Sequence, residues 1–245
     1  MVKEAFLDSE LRGKLRLTSA NSINISRLIP QTFYYFNALA QACRLDSERT
    51  KRPFVFSVPS GNFGNLCAGV MAKMMGARID HFLAATNIND VVPKYLHSGE
   101  YSPMESLRTI SNAMDVGNPS NFERLSTLFE CNLDQFKELM SGYRYTDDET
   151  KNGLLETWEE HHYISDPHGA SGYLAAKDYL RTRTDNPIVV FLETAHPIKF
   201  QDDVEESIKS SVATPPQVGS LLEKEKKAAL LPPTLEALKE QLLPH

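Results

Sequence analysis

Residues 53–76, PFVFSVPSGNFGNLCAGVMAKMMG, constrain the fold more than any other stretch, because they read as buried strand, glycine-bearing turn and helix in unbroken succession. Phe54, Val55, Phe56 and Val58 form a short, nearly continuous β-branched and aromatic run, which suits a parallel strand covered on both faces. Ser60, Gly61, Asn62, Phe63, Gly64 and Asn65 follow, and two glycines among small polar side chains allow positive φ and close approach to a ligand. Leu66, Val70, Ala72, Met74 and Met75 then give a helix an apolar face, with Gly76 as its C-terminal cap. A helix starting in such a turn aims its unpaired N–H groups and positive end at whatever lies there, which suits a phosphate. The loop has neither the G-x-G-x-x-G spacing of a dinucleotide site nor the Gly-Lys-Ser/Thr ending of a triphosphate site. A smaller, mononucleotide-like phosphate is therefore the expected anion, and helix packing alone is the other reading.

Two further strands are expected, Ile79 to Ala85 within RIDHFLAAT (78–86) and Ile188 to Leu192. Strand and helix alternate from Pro53 to Lys199, so the fold class is α/β, an open, largely parallel sheet with helices on both faces. Ligands bind at the carboxyl edge of such sheets, where Asn87, Asn89 and Asp90 follow the second strand and Glu193, Thr194, Ala195 and His196 the third. For the first group, helix capping is the competing reading. Residues 102–121 read as a surface connector or as the border of a site, and Asn121 to Gly142 as one or two amphipathic helices. Thr146 with Glu149 spells a capping box, and Asp166 with Pro167 an N-cap followed by proline at N1. Tyr34, Tyr35 and Phe36 are assigned to the core. The opening residues read as a charged amphipathic helix to Arg12 with a break at Gly13, and the ERTKRP segment (48–53) as a polar turn.

At 245 residues, 41% of them hydrophobic and 24% charged, the chain is an ordinary globular protein able to bury a core. A net charge of −6 argues against a nucleic-acid partner. Cys43, Cys67 and Cys131, odd in number and set in apolar surroundings, read as buried, reduced thiols of a cytoplasmic protein. No signal peptide or long apolar run argues for secretion or a membrane. His161, His162 and His168 lack the i, i+4 geometry of a zinc helix, so no metal is expected.

Several ordered blocks together resemble threonine synthase, a fold-type II pyridoxal-5′-phosphate (PLP) family with a tryptophan synthase β-like large domain. They are NSINISRLIPQTFYYF, SVPSGNFGN with AGVMAKMMG, AATNINDVVP, SNAMDVGNPSNFERL and ETAHPIKF. The resemblance implies that Ser60, Gly61, Asn62, Phe63, Gly64 and Asn65 cradle the PLP phosphate and that Thr194 meets the pyridine nitrogen. It also implies that Ser22, Asn24 and Arg27 face the substrate. The parent reaction would convert O-phospho-L-homoserine and water to L-threonine and phosphate; a phospholyase of similar sequence, or a non-catalytic domain binding a phosphorylated ligand, is the alternative.

One departure stands out. The family's PLP-carrying lysine lies upstream of the phosphate loop beside a Ser/Gly-rich loop, but only Lys3, Lys14 and Lys51 precede Ser57 and none has that context. The chain thus resembles a carboxyl-terminal part without its catalytic lysine, and alone it is expected to be inactive, its partner being the missing amino-terminal part. The expected division is residues 1–20 as the end of a truncated region, 21–213 as the PLP-binding domain and 214–245 as a helical tail.

Overall fold

The structure, a computed structural model, describes residues 1–18, 21–45, 51–222 and 224–243. In chain order the elements are α1 (Val2–Leu7), α2 (Ser9–Lys14), a 3-10 turn (Ile25–Arg27), α3 (Leu28–Leu45), β1 (Phe54–Pro59) and α4 (Gly64–Met74). Then come β2 (His81–Thr86), α5 (Val91–Ser98), α6 (Phe122–Leu128), α7 (Leu133–Leu139), β3 (Met140–Arg144) and α8 (Asp147–His161). The last are α9 (Pro167–Arg181), β4 (Ile188–Phe191), α10 (Gln201–Ile208), α11 (Pro216–Leu222) and α12 (Leu235–Leu242).

The chain divides into two compact units, Ser22–Ala213 and the paired terminal segments Met1–Asn21 with Thr214–His245. In the terminal unit Lys239 of α12 pairs with Asp8 at 3.0 Å and Glu10 at 2.8 Å. The opening helix breaks at Asp8, which caps α2 by accepting from the Leu11 N–H at 2.9 Å, and α2 runs through Gly13. The break expected at Gly13 is therefore misplaced by five residues. The turn expected over residues 48–53 lies partly outside the described residues.

In the larger unit the sheet has the order β3-β2-β1-β4, with every pairing parallel. Alternate residues of the central strands face opposite layers. Phe56, Val58, Phe82 and Ala84 pack with α3, α4 and α5, while Val55, Leu83 and Ala85 meet Ala175 and Leu174 of α9. Helices thus cover both faces, as expected. A third cluster joins Leu154, Ala170, Val204 and Ile208 of α8, α9 and α10.

The aromatic triplet divides. Tyr35 is fully buried, its ring edge-on to Phe56 at 4.9 Å, whereas Tyr34 and Phe36 are exposed, because successive helix residues point about 100° apart. The thiols divide too: Cys67 is buried, but Cys43 and Cys131 are exposed. β3 was not foreseen; MSGYR carries a glycine and two polar residues, and it forms the outer strand beside β2, where half of its side chains face away from the core. His81 acts structurally, its ring 2.8 Å from Ser141 Oγ and stacked on Tyr179.

Candidate functional site

β1 ends at Pro59, and the Ser60 N–H is still bonded to the β2 carbonyl of Ala85 at 2.7 Å, with its hydroxyl returned to Val58 O at 2.8 Å. The chain then leaves the sheet. Phe63 takes φ 59° and caps α4 without a side-chain bond. Positive φ therefore falls on a buried aromatic residue and on neither loop glycine. The glycines are needed for space instead: a Cβ on Gly61 would stand 2.5 Å from Met114 Cα and 2.7 Å from Ala113 O, and one on Gly64 3.3 Å from Ser22 Cβ.

The first turn of α4 has the unpaired donors of any helix start. Among the described residues no acceptor takes the N–H groups of Gly61 to Leu66. Side chains around them are heavily bonded. Asn62 Oδ1 accepts from Ser120 N–H at 2.6 Å and Ser120 Oγ at 2.9 Å, and its amide donates to Ser22 Oγ. Asn121 donates to Asn62 O at 2.9 Å and accepts from Arg124 at 2.5 Å, and Arg124 also reaches Ser22 O at 3.2 Å and Ile23 O. Tyr35 donates to Asn65 O at 2.8 Å, and burial raises its hydroxyl well above the ordinary range, which keeps it a donor.

Behind the loop, the 107–117 segment anchors as a wall through buried Thr109, Ser111, Met114 and Gly117, while Leu107, Arg108, Asn112 and Ala113 stay at the surface. Asn87, Thr109 and Ser111 are buried, and Asp115 Oδ1 accepts from Asn87 at 2.9 Å and Thr109 at 2.7 Å. Asn89 exchanges bonds with Leu107, N–H at 2.7 Å and O at 2.9 Å. Asn87 and Asn89 thus tie this wall to the end of β2. Asp90 precedes α5 without a capping bond and pairs with Lys94 at 2.8 Å.

Register places Thr194. Ser57 pairs with Phe191 and Leu192 N–H bonds to Ser57 O at 3.0 Å, so Ser60 and Thr194 each follow that paired level by three residues. Thr194 is exposed. Of the three substrate candidates, Ser22 touches the loop; Asn24 caps the 3-10 turn through Ser26 N–H at 3.0 Å, and Arg27 ends that turn, exposed. Lys14 pairs with Glu10 at 2.9 Å, and Lys51 is exposed ahead of β1. Among the described residues no His, Cys, Asp and Glu gather as a metal site, and no helix is long and apolar enough to cross a membrane. Reading by motif gave no role to Ser120, Asn121, Arg124, Thr109 and Asp115, although the SNAMDVGNPSNFERL block holds all of them but Thr109.

The family model described as threonine synthase, C-terminal, matches residues 169–242. Threonine synthase of Escherichia coli (strain K12) is 43% identical over the whole chain, which covers 55% of that protein, and that of Pseudomonas aeruginosa 32% identical, with 56% covered. The chain belongs to the threonine synthase family. Its backbone matches the crystal structure of the E. coli enzyme with a TM-score of 0.88 at 41% identity, covering 98% of this chain and 54% of that one. A PLP-bound threonine synthase from Brucella melitensis matches at 0.84 and 32% identity, with 98% and 55% covered. A fungal L-serine ammonia-lyase from Rhizomucor miehei, 15% identical with a TM-score of 0.53 over 73% of this chain and 56% of its own, shares the fold alone. The chain spans about 55% of the length of its E. coli relative.

Proposed function

We propose that this chain is the carboxyl-terminal part of a cytoplasmic, PLP-dependent threonine synthase that converts O-phospho-L-homoserine and water to L-threonine and phosphate. The observation that carries the reading is the row of N–H groups from Gly61 to Leu66, unclaimed by any acceptor among the described residues at the carboxyl edge of a parallel sheet. The same chain covers a PLP-bound relative over 98% of its own length. With no Lys or Arg between Ser60 and Asn65, a bound phosphate would be held by backbone N–H groups and the helix end.

When bound, PLP supplies an electron sink for the substrate's carbanion. Gly61, Phe63, Gly64 and Asn65 would offer the phosphate cradle, while Ser60 and Asn62 would shape it, since the Ser60 N–H and hydroxyl are committed to Ala85 and Val58 carbonyls and the Asn62 amide to Ser22 and Ser120. The Thr194 hydroxyl would meet the ring nitrogen and, being neutral, would not hold a proton there. Ser22, Asn24 and Arg27 form the substrate-facing turn. The cofactor-carrying lysine belongs to an amino-terminal part joined to this one, and residues 22–213 are the PLP-binding unit.

Titrating the chain with PLP and with pyridoxal tests the cradle: PLP is expected to bind measurably and pyridoxal at least tenfold more weakly, a difference of about 1.4 kcal/mol. Equal affinity for both would refute the cradle. The gene upstream of Met1 is expected to encode a lysine beside a Ser/Gly-rich loop, and the joined protein to release phosphate from O-phosphohomoserine. An intact upstream region without that lysine would instead identify a non-catalytic domain binding a phosphorylated ligand, and release of phosphate with a keto acid a phospholyase.

A further inference from the structure

The densest cluster of buried ionisable groups outside the loop lies where α9 begins. Asp166 Oδ1 accepts from the His168 N–H at 2.9 Å and lies 2.5 Å from His168 Nδ1, with side chains 0% and 3% exposed. His168 Nε2 accepts from the Ala113 N–H at 3.2 Å, so the ring proton sits on Nδ1 and is donated to Asp166. Phe200 packs against the ring with centroids 4.9 Å apart.

Glu193, two residues beyond β4, sits against the same helix start. A Cβ on Gly169 would collide with its carboxyl group, and Asp166 N–H lies 3.5 Å from Glu193 Oε2. Asp166 Oδ2 and Glu193 Oε1 are both buried with no hydrogen-bond partner. Two buried carboxylates side by side repel and are poorly solvated, and one proton between them relieves both faults.

We propose that Glu193 carries a proton shared with Asp166, and that the resulting unit, Glu193–Asp166–His168, is a positioning device that fixes the wall behind Gly61. The connection is short, because Ala113, whose N–H is held by His168, also supplies the carbonyl that leaves no room for a Cβ at Gly61. At the other end, Glu193 immediately precedes Thr194. One proton thereby secures the back of the loop and the exit of β4 together. Burial, with Asp166 adding to it, pushes the Glu193 carboxyl up to about 9. Burial alone would raise Asp166 as well, but hydrogen bonds with His168 and Glu193 outweigh it and hold Asp166 below its ordinary value. The titratable groups around Glu193 are Asp166, His168 and Tyr163, and Tyr163 is itself raised by burial and by these two acids. The positioning role rests on the proposed cofactor site; the proton does not.

The test is infrared spectroscopy and amide exchange on the full chain without cofactor. A protonated-carboxyl C=O band is expected at neutral pH, fading as pH passes about 9 and absent from Glu193→Gln. In Glu193→Ala the Ala113 amide is expected to exchange about tenfold faster while the Phe56 amide in β1 is unchanged, and Glu193→Gln, which keeps a neutral donor, is expected to restore protection. A neutral-pH spectrum without the band, or a band that survives Glu193→Gln, would overturn the shared proton. Unchanged Ala113 exchange in both Glu193→Ala and His168→Ala would overturn the positioning role. Failure of PLP to bind would count against the proposed function and leave both readouts intact.

Discussion

Phe63 holds a left-handed backbone conformation that costs a bulky residue roughly 1–3 kcal/mol, although a glycine follows it directly. The sequence announced a tight loop through its glycine spacing but not which residue would take positive φ, because Gly61 is claimed by contact with residues 113 and 114 from more than fifty positions away. Gly61→Val is accordingly expected to destabilise the fold by about 1–3 kcal/mol through overpacking against backbone, and Gly64→Ala by less, since its neighbour is a serine side chain. Urea denaturation compares the two, and equal losses would contradict the contacts described. Burial raises the Cys67 thiol to about 11, so a thiol reagent is expected to label Cys43 and Cys131 in the folded chain and Cys67 only on unfolding. For Glu193 the sign of the pH effect follows from its proton: it ionises near 4.5 when unfolded and near 9 when folded, so the folded chain binds the extra proton between those values. Its contribution to stability is complete below about pH 4.5 and is lost as pH rises toward about 9. The stability difference between wild type and Glu193→Gln is expected to fall across that window; a flat difference would show that Glu193 ionises normally.

Among the elements, β1 and β2 were legible because their apolar runs are buried on both faces, and the half-buried outer strand β4 because its run is as apolar as theirs; a continuous hydrophobic stretch is visible without a partner. β3 was not. Only Met140 of MSGYR is buried, half-buried Ser141 and Tyr143 alternate with exposed Gly142 and Arg144, and Gly142, whose Cβ would stand 2.7 Å from Pro93 Cα, reads as a breaker until α5 is seen packed on it. Helix starts were plainer, since caps are local chemistry. Thr146 and Glu149 form both bonds of the box, with Glu149 Oε2 accepting from Thr146 N–H at 2.7 Å and Thr146 Oγ1 accepting from Glu149 N–H at 3.3 Å. Thr146→Ala is therefore expected to cost about 1 kcal/mol, and Thr146→Ser very little. Chemical denaturation of both variants checks this, and a full loss in the serine variant would point to the methyl group and away from the cap.

At the scale of the molecule, four parallel strands bring the loop after β1, the Asn87–Asp115 wall after β2 and Thr194 after β4 to one sheet edge. That gathering was readable because parallel sheets put all their carboxyl ends together. Which side chains would bond one another was not, since Asn62, Ser120 and Ser22 are joined by folding across a hundred residues. Chemical competence is a separate matter from the cradle. Lys14 is engaged by Glu10, Lys51 is exposed, and the chain covers about 55% of its E. coli relative, so a ligand at this edge would meet a wall on only part of its surface. Water on the open side weakens every hydrogen bond that a closed site would strengthen. The chain alone is thus expected to bind PLP reversibly and weakly, to release no phosphate from O-phosphohomoserine, and to carry no cofactor on any single lysine after borohydride reduction and peptide mapping. Mapping of reduced cofactor to one lysine together with turnover would show that this chain contains its own nucleophile, and Lys51→Ala would then be the first variant to assay.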